Sequence, residues 1–168
     1  MITLILPGFS PHNRQWADDV AKHLRAKNKD ALPHYWEHWS TGKNYSLVKE
    51  IAAILEEIDN KKINIIAKSV GVMTALFLIL KIPERTGKVI LCGIASVAKE
   101  ERKDLLREAL GHVSVKNILC IQNEKDKFVP FADAETFYHS VDPKLKVISK
   151  PRSDHHYPFF EDFLEFLA

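Results

Sequence analysis

A lone serine between small residues, with an apolar run on either side, is where this sequence can do chemistry. The stretch Ile63-Asn64-Ile65-Ile66-Ala67-Lys68-Ser69-Val70-Gly71-Val72-Met73-Thr74-Ala75-Leu76 predicts a strand, a tight turn and a buried helix, with Ser69 at the turn. A serine hydroxyl of ordinary pKa is a poor nucleophile. Chemistry at Ser69 therefore needs exposure, a neighbouring base and backbone N–H donors close by. A strand-to-helix turn supplies exposure and donors, because the free N–H groups of the helix's first turn carry partial positive charge that favours an oxyanion. The competing reading is a serine in an ordinary turn, acting as a helix N-cap.

The pentapeptide Ala67-Lys68-Ser69-Val70-Gly71 resembles the G-x-S-x-G nucleophile elbow of the α/β-hydrolase superfamily, with Ala in place of the first Gly. Two later segments extend the resemblance. Gln122 to Pro130, ending Asp126-Lys127-Phe128-Val129-Pro130, is similar to the family's acid loop. Ser153-Asp154-His155-His156-Tyr157 is similar to the loop that carries its histidine. The resemblance implies Ser69 as nucleophile, Asp126 as the acid that orients the imidazole, and His155 as the base, with His156 the fallback. On their own, the acid segment also reads as a solvated turn and either histidine as a surface loop residue. The order Ser69, Asp126, His155 is the superfamily's, and each lies just past a predicted strand, where open parallel sheets place their sites.

The same resemblance implies an oxyanion hole made from the backbone N–H groups of Phe9 and Val70. Pro7-Gly8-Phe9-Ser10 stands where the family has an H-G-x-x loop. Ser10 and His12 in that loop, and His156, are candidate substrate contacts. Lys68 is expected to point away from the nucleophile, either pairing a carboxylate behind the site or solvated. His34 and His38 flank Glu37, but on a strand-like segment that spacing does not converge on a metal, so neither metal nor cofactor is expected.

The elements that must position these residues alternate. Apolar runs at Ile2–Leu6, Ile63 to Ala67, Lys88 to Cys92, Val115 to Ile121 and Leu145 to Ser149 predict strands, and Leu32 to Trp39 a short sixth. Helical spacing covers Trp16 to Ala26, Val48 to Ile58, Gly71 to Lys81, Lys99 to Leu110, Phe131 to Ser140 and Pro158 to Leu167. Alternating strand and helix argues for a doubly wound, mostly parallel six-stranded sheet with helices on both faces, spanning residues 1–168 as one domain. This resembles a minimal α/β-hydrolase fold without a large cap, the charged helix Lys99 to Leu110 filling the space where larger members insert one.

Composition narrows the function. Charged residues are 27% and apolar ones 46% of the 168, which argues against disorder and against a membrane protein. A net charge of +2 with no basic run argues against nucleic acid. The apolar stretch Val70 to Ile82 is short of the ~20 residues that span a bilayer. No secretory pattern precedes Pro7-Gly8, and Cys92 and Cys120 read as two buried free thiols, so a cytoplasmic location is expected. The function implied is a serine hydrolase acting on a small carboxylic ester or thioester. The alternative is a hydrolase-like fold used as a binding module.

Overall fold

The computed structural model describes residues 1–168. In chain order it forms β1 (Ile2–Leu6), α1 (Asn13–Arg25), β2 (Ala31–Pro33), α2 (His38–Thr41), α3 (Leu47–Ile58), β3 (Ile63–Lys68), α4 (Val70–Lys81), β4 (Thr86–Cys92), α5 (Lys103–Gly111), β5 (Ile118–Asn123), α6 (Phe131–Val141), β6 (Lys146–Lys150) and α7 (Phe160–Leu167). The six strands lie in the order β2-β1-β3-β4-β5-β6 and every pair is parallel.

Side chains alternate across this sheet even where the strand sequence is continuously apolar, so the two faces carry separate cores. Leu4, Leu6, Ile65, Ala67 and Leu91 face α3, α4, α5 and α6. Ile5, Ile66, Ile90 and Ile121 face α1 and α7, packing on Trp16, Val20, Phe163 and Leu164. Helix α4 is buried along most of its length, and its close crossing of β1 explains Gly71: a Cβ there would stand 2.2 Å from the Leu6 carbonyl oxygen.

Three expectations need correction. The predicted strand Leu32 to Trp39 stops at Pro33. The last sheet bond, His34 N–H to the Ile5 carbonyl, comes where β1 itself is about to end, so the chain has no neighbour to pair with and turns into α2. The strand predicted from Val115 begins with a 3₁₀ turn and runs instead over Ile118–Asn123. The charged helix is shorter than predicted. It begins with a 3₁₀ turn at Glu100–Arg102, and α5 buries Leu106, Ala109 and Leu110 against the core beside α4 and α6. That apolar face fixes it to the side of the sheet rather than over its carboxyl end.

At the β2 edge, His34 is 1% exposed and lies between two carboxylates. Nε2 lies 2.7 Å from Glu50 Oε2 and Nδ1 3.0 Å from Glu57 Oε2, and the protonated ring donates to both. Burial works against that charge, but the hydrogen bonds and charges of Glu57 and Glu50 outweigh it and raise the pKa above the ordinary 6.5. A histidine raised on folding contributes stability that is fully present below about 6.5 and is lost as pH rises through the folded value. Urea midpoints should therefore fall between pH 6 and pH 9 by more in the wild type than in His34→Gln, which cannot ionise. Equal falls would exclude this ion pair as the source. His34→Ala, which removes the charged partner of the buried Glu50 and leaves it the Glu37 N–H, should cost about 3 kcal/mol.

Candidate functional site

The chain leaves β1 for β2 on one side of the sheet and resumes with β3 on the other, so the loops after β1 and β3 diverge from a crevice at the sheet's carboxyl end. Ser69 stands in the second of these loops. Its backbone sits at φ 56°, ψ −116°, one of three non-glycine residues with positive φ, a conformation that costs of order 1–3 kcal/mol and persists only when its surroundings impose it. Those surroundings are visible on both sides. The Ser69 N–H donates to the Cys92 carbonyl at 3.1 Å, extending the β3·β4 ladder to the turn, and the Ser69 carbonyl accepts the Val72 N–H at 3.0 Å, opening α4.

Asp126 follows β5, and its carboxylate is almost fully buried. Oδ2 accepts from His155 Nδ1 at 2.6 Å and from the Tyr157 hydroxyl at 2.7 Å, while Oδ1 accepts the Phe128 N–H at 2.8 Å. Burial alone would raise this carboxyl's pKa, but the hydrogen bonds from His155, Tyr157 and the Phe128 N–H outweigh it and hold the group below its ordinary value. Because a carboxylate can only accept, Nδ1 of His155 carries the proton, and in the neutral ring Nε2 bears the lone pair. That atom is shielded from solvent and has no hydrogen-bond partner in the chain, Ser69 included. The ring is wedged edge-on between Phe128 and Tyr157, at 4.7 and 5.7 Å between centroids. Gly93, at φ 60° after β4, makes the room: a Cβ there would meet the Tyr157 ring at 2.5 Å and His155 Cε1 at 3.0 Å.

The loop after β1 is held from outside. Trp36 Nε1 donates to the Gly8 carbonyl at 3.0 Å, and the Phe9 carbonyl accepts from Trp39 Nε1 at 2.7 Å and His38 Nε2 at 2.9 Å. In a trans peptide the C=O and the following N–H point in opposite directions. Fixing the Gly8 oxygen toward Trp36 therefore turns the Phe9 N–H the other way, and no acceptor in the chain takes it. Val70 N–H, first in α4, is likewise outside the helix's own ladder. Within the loop, Ser10 Oγ lies 2.9 Å from His12 Nε2 and also accepts from Asn13 Nδ2.

Phe9, Ser10, His12, Ser69, His155 and His156 all line one cleft of about 680 Å³, whose apolar lining is confined to Phe9, Trp16 and Phe128. No residue of α5 reaches it. Lys68 does, and this corrects the expectation for it. It is 4% exposed, shares the sheet face of Ile66, and donates from Nζ to Asn13 Oδ1 at 2.6 Å, an amide where a carboxylate or solvent was expected. His34 and His38 serve different partners, Glu50 with Glu57 and the Phe9 carbonyl, and no group of three His, Cys, Asp or Glu side chains is arranged to hold a metal ion. Cys92 and Cys120 are buried and unpaired.

Sequence reasoning missed Tyr157, Asn123 and the ring donors Trp36, His38 and Trp39. Tyr157 also accepts the Asn123 N–H at 3.1 Å, and Asn123 Nδ2 donates to the carbonyls of Asp154 and His156 at 2.9 and 2.8 Å, pinning the histidine loop on both sides of His155. Asn123 ends β5, and that position was the signal for it. The indole and imidazole donors act across about thirty residues and left none.

The site thus brings Ser69 and an imidazole oriented by a carboxylate to one cleft, and the fold has known counterparts. Solved structures of similar fold include a serine hydrolase without lid from Xanthomonas campestris (14% identity, TM-score 0.70, covering 99% of this chain and 76% of that one). They also include Est1E from Butyrivibrio proteoclasticus with ferulic acid bound (15%, 0.71, 99% and 87%) and mouse alpha/beta hydrolase domain-containing protein 10 (14%, 0.70, 99% and 90%). At such identities the likeness establishes the α/β-hydrolase fold. No protein of curated description matches the sequence. No helix is long and apolar enough to cross a membrane. The serine hydrolase family model, however, matches residues 3–155, nearly the whole chain, and the chain therefore belongs to the serine hydrolase family.

Proposed function

We propose that the protein hydrolyses small carboxylic esters or thioesters through an acyl-enzyme on Ser69. Ser69 Oγ attacks the carbonyl carbon while His155 Nε2 takes its proton. Asp126 holds the Nδ1 proton and stabilises the imidazolium as it forms. The Phe9 and Val70 N–H groups receive the oxyanion, and His155 returns the proton to the leaving group before activating the water that frees the acid. The observation that carries this reading is the 2.6 Å bond between Asp126 and His155, whose free Nε2 belongs to a ring lining the same cleft as the strained Ser69. Two buried thiols fit a reducing compartment, and we place the enzyme in the cytoplasm.

Covalent labelling by a fluorophosphonate tests it. The wild type should react at Ser69 and Ser69→Ala should not. An unreactive wild type would instead point to a binding module on a hydrolase fold. A mainly polar cleft also sets acyl preference: rates on p-nitrophenyl esters should fall from acetate or butyrate towards decanoate. A maximum at dodecanoate or longer would require an apolar channel that Phe9, Trp16 and Phe128 do not make.

A further inference from the structure

Lys68 is the one charged side chain in the cleft that is almost wholly withdrawn from water, and nothing in the mechanism above uses it. Period-two alternation along β3 turns it, like Ile66, toward α1, where Nζ rests 5.6 Å from the Trp16 ring and donates to Asn13 Oδ1. Asn13 in turn is locked by giving its Nδ2 protons to the Ser10 carbonyl and hydroxyl, so its oxygen is held facing the ammonium. No carboxylate lies within ion-pair distance of Nζ. The Cys92 thiol, Asp126 and Asp154 act on it only through space. An ammonium kept out of water with a neutral partner is expensive, and an apolar residue would serve packing better. Burial lowers its pKa to about 8, so it remains mostly cationic at neutral pH. Around it, the charged lining of the cleft is completed by Lys127 and by one carboxylate, Asp19.

We propose that Lys68, set by Asn13 in the wall beside Ser69, recognises a carboxylate on the substrate, so that the preferred substrates are half-esters of short dicarboxylic acids. This rests on the hydrolase reading given above and names its substrate class. The substrate's carboxylate supplies the anionic partner that the fold withholds, with a charge-assisted hydrogen bond.

The test compares monoethyl succinate and monoethyl glutarate with their uncharged isosteres, ethyl 4-methylpentanoate and ethyl 5-methylhexanoate, by proton release at pH 7. The wild type should favour the half-esters in kcat/KM by about tenfold or more, the scale of a hydrogen bond to a charged group. Lys68→Met should abolish that preference while holding the neutral esters within about threefold, and Lys68→Arg should keep part of it. No preference in the wild type, or an equal loss on both ester classes in Lys68→Met, overturns the proposal. Titration calorimetry of Ser69→Ala with monoethyl succinate, with and without Lys68→Met, reads the same site without turnover. Binding that is independent of Lys68, or absent in Ser69→Ala alone, overturns it too. A wild type that binds half-esters through Lys68 but neither cleaves them nor reacts with a fluorophosphonate would leave this site standing and overturn the hydrolase reading instead.

Discussion

Ser69→Ala is expected to lower ester turnover by on the order of 10⁴-fold or more with the fold kept. The loss follows from removing the one hydroxyl at the strand-to-helix turn. The retained fold follows from what holds that turn: the Ser69 N–H to Cys92 bond, the Ser69 carbonyl to Val72 bond and the approach of Gly71 to Leu6 are all backbone features that alanine preserves. Alanine bears the same positive-φ strain as serine, so the melting temperature should stay within a few degrees of wild type. Activity within about tenfold of wild type, a barrier change of only ~1.4 kcal/mol, would mean that another group is the nucleophile.

His155→Ala should cost activity on the same scale, and His156→Ala less than about tenfold. The neighbours differ in what their rings touch. His155 Nδ1 is bound to Asp126, whereas His156 anchors the loop through its backbone, its N–H to Asp154 and its carbonyl to Asn123. Burial and the nearby charges of Lys68 and Arg152 push the His156 pKa down, which makes it a weaker base. The double variant Ser69→Ala, His155→Ala should be scarcely worse than either single one, because such residues act as a unit. Kinetic assays in which His156→Ala proved the more damaging change would move the base by one residue and leave the Asp126 contact without a catalytic reason.

Much of this was legible in the sequence because it is local. A run of apolar residues followed by helical spacing defines each β-α unit, and Ser69, Asp126 and His155 each fall just past a strand. What stayed hidden depends on where the chain goes in space. Nothing in Trp36-Glu37-His38-Trp39 says that its rings will reach Gly8 and Phe9, and the stretch reads as strand until one sees that β1 ends at Leu6 and leaves it no partner. Lys68 was within reach: alternation from Ile66 already assigns it to the α1 face, and only the identity of Asn13 as its partner needed coordinates. The helix after β4 was misplaced because its many charges drew attention from Leu106, Ala109 and Leu110, the face that decides where it lies.

The chain has three tryptophans, and each gives its indole N–H to a backbone carbonyl in a loop that builds the cleft: Trp36 to Gly8, Trp39 to Phe9, and Trp16 to Tyr157 beside the histidines. The tryptophan emission of this protein, excited selectively at the red edge where tyrosine does not absorb, is therefore emission from indoles bonded to the loops of its site, with the sheet optically silent at those wavelengths. Fluorescence followed through a denaturant titration reports the loops, while far-ultraviolet dichroism reports the strands and helices. Wherever the two curves separate, the gap measures how far the site loosens before the scaffold does, without any label being attached.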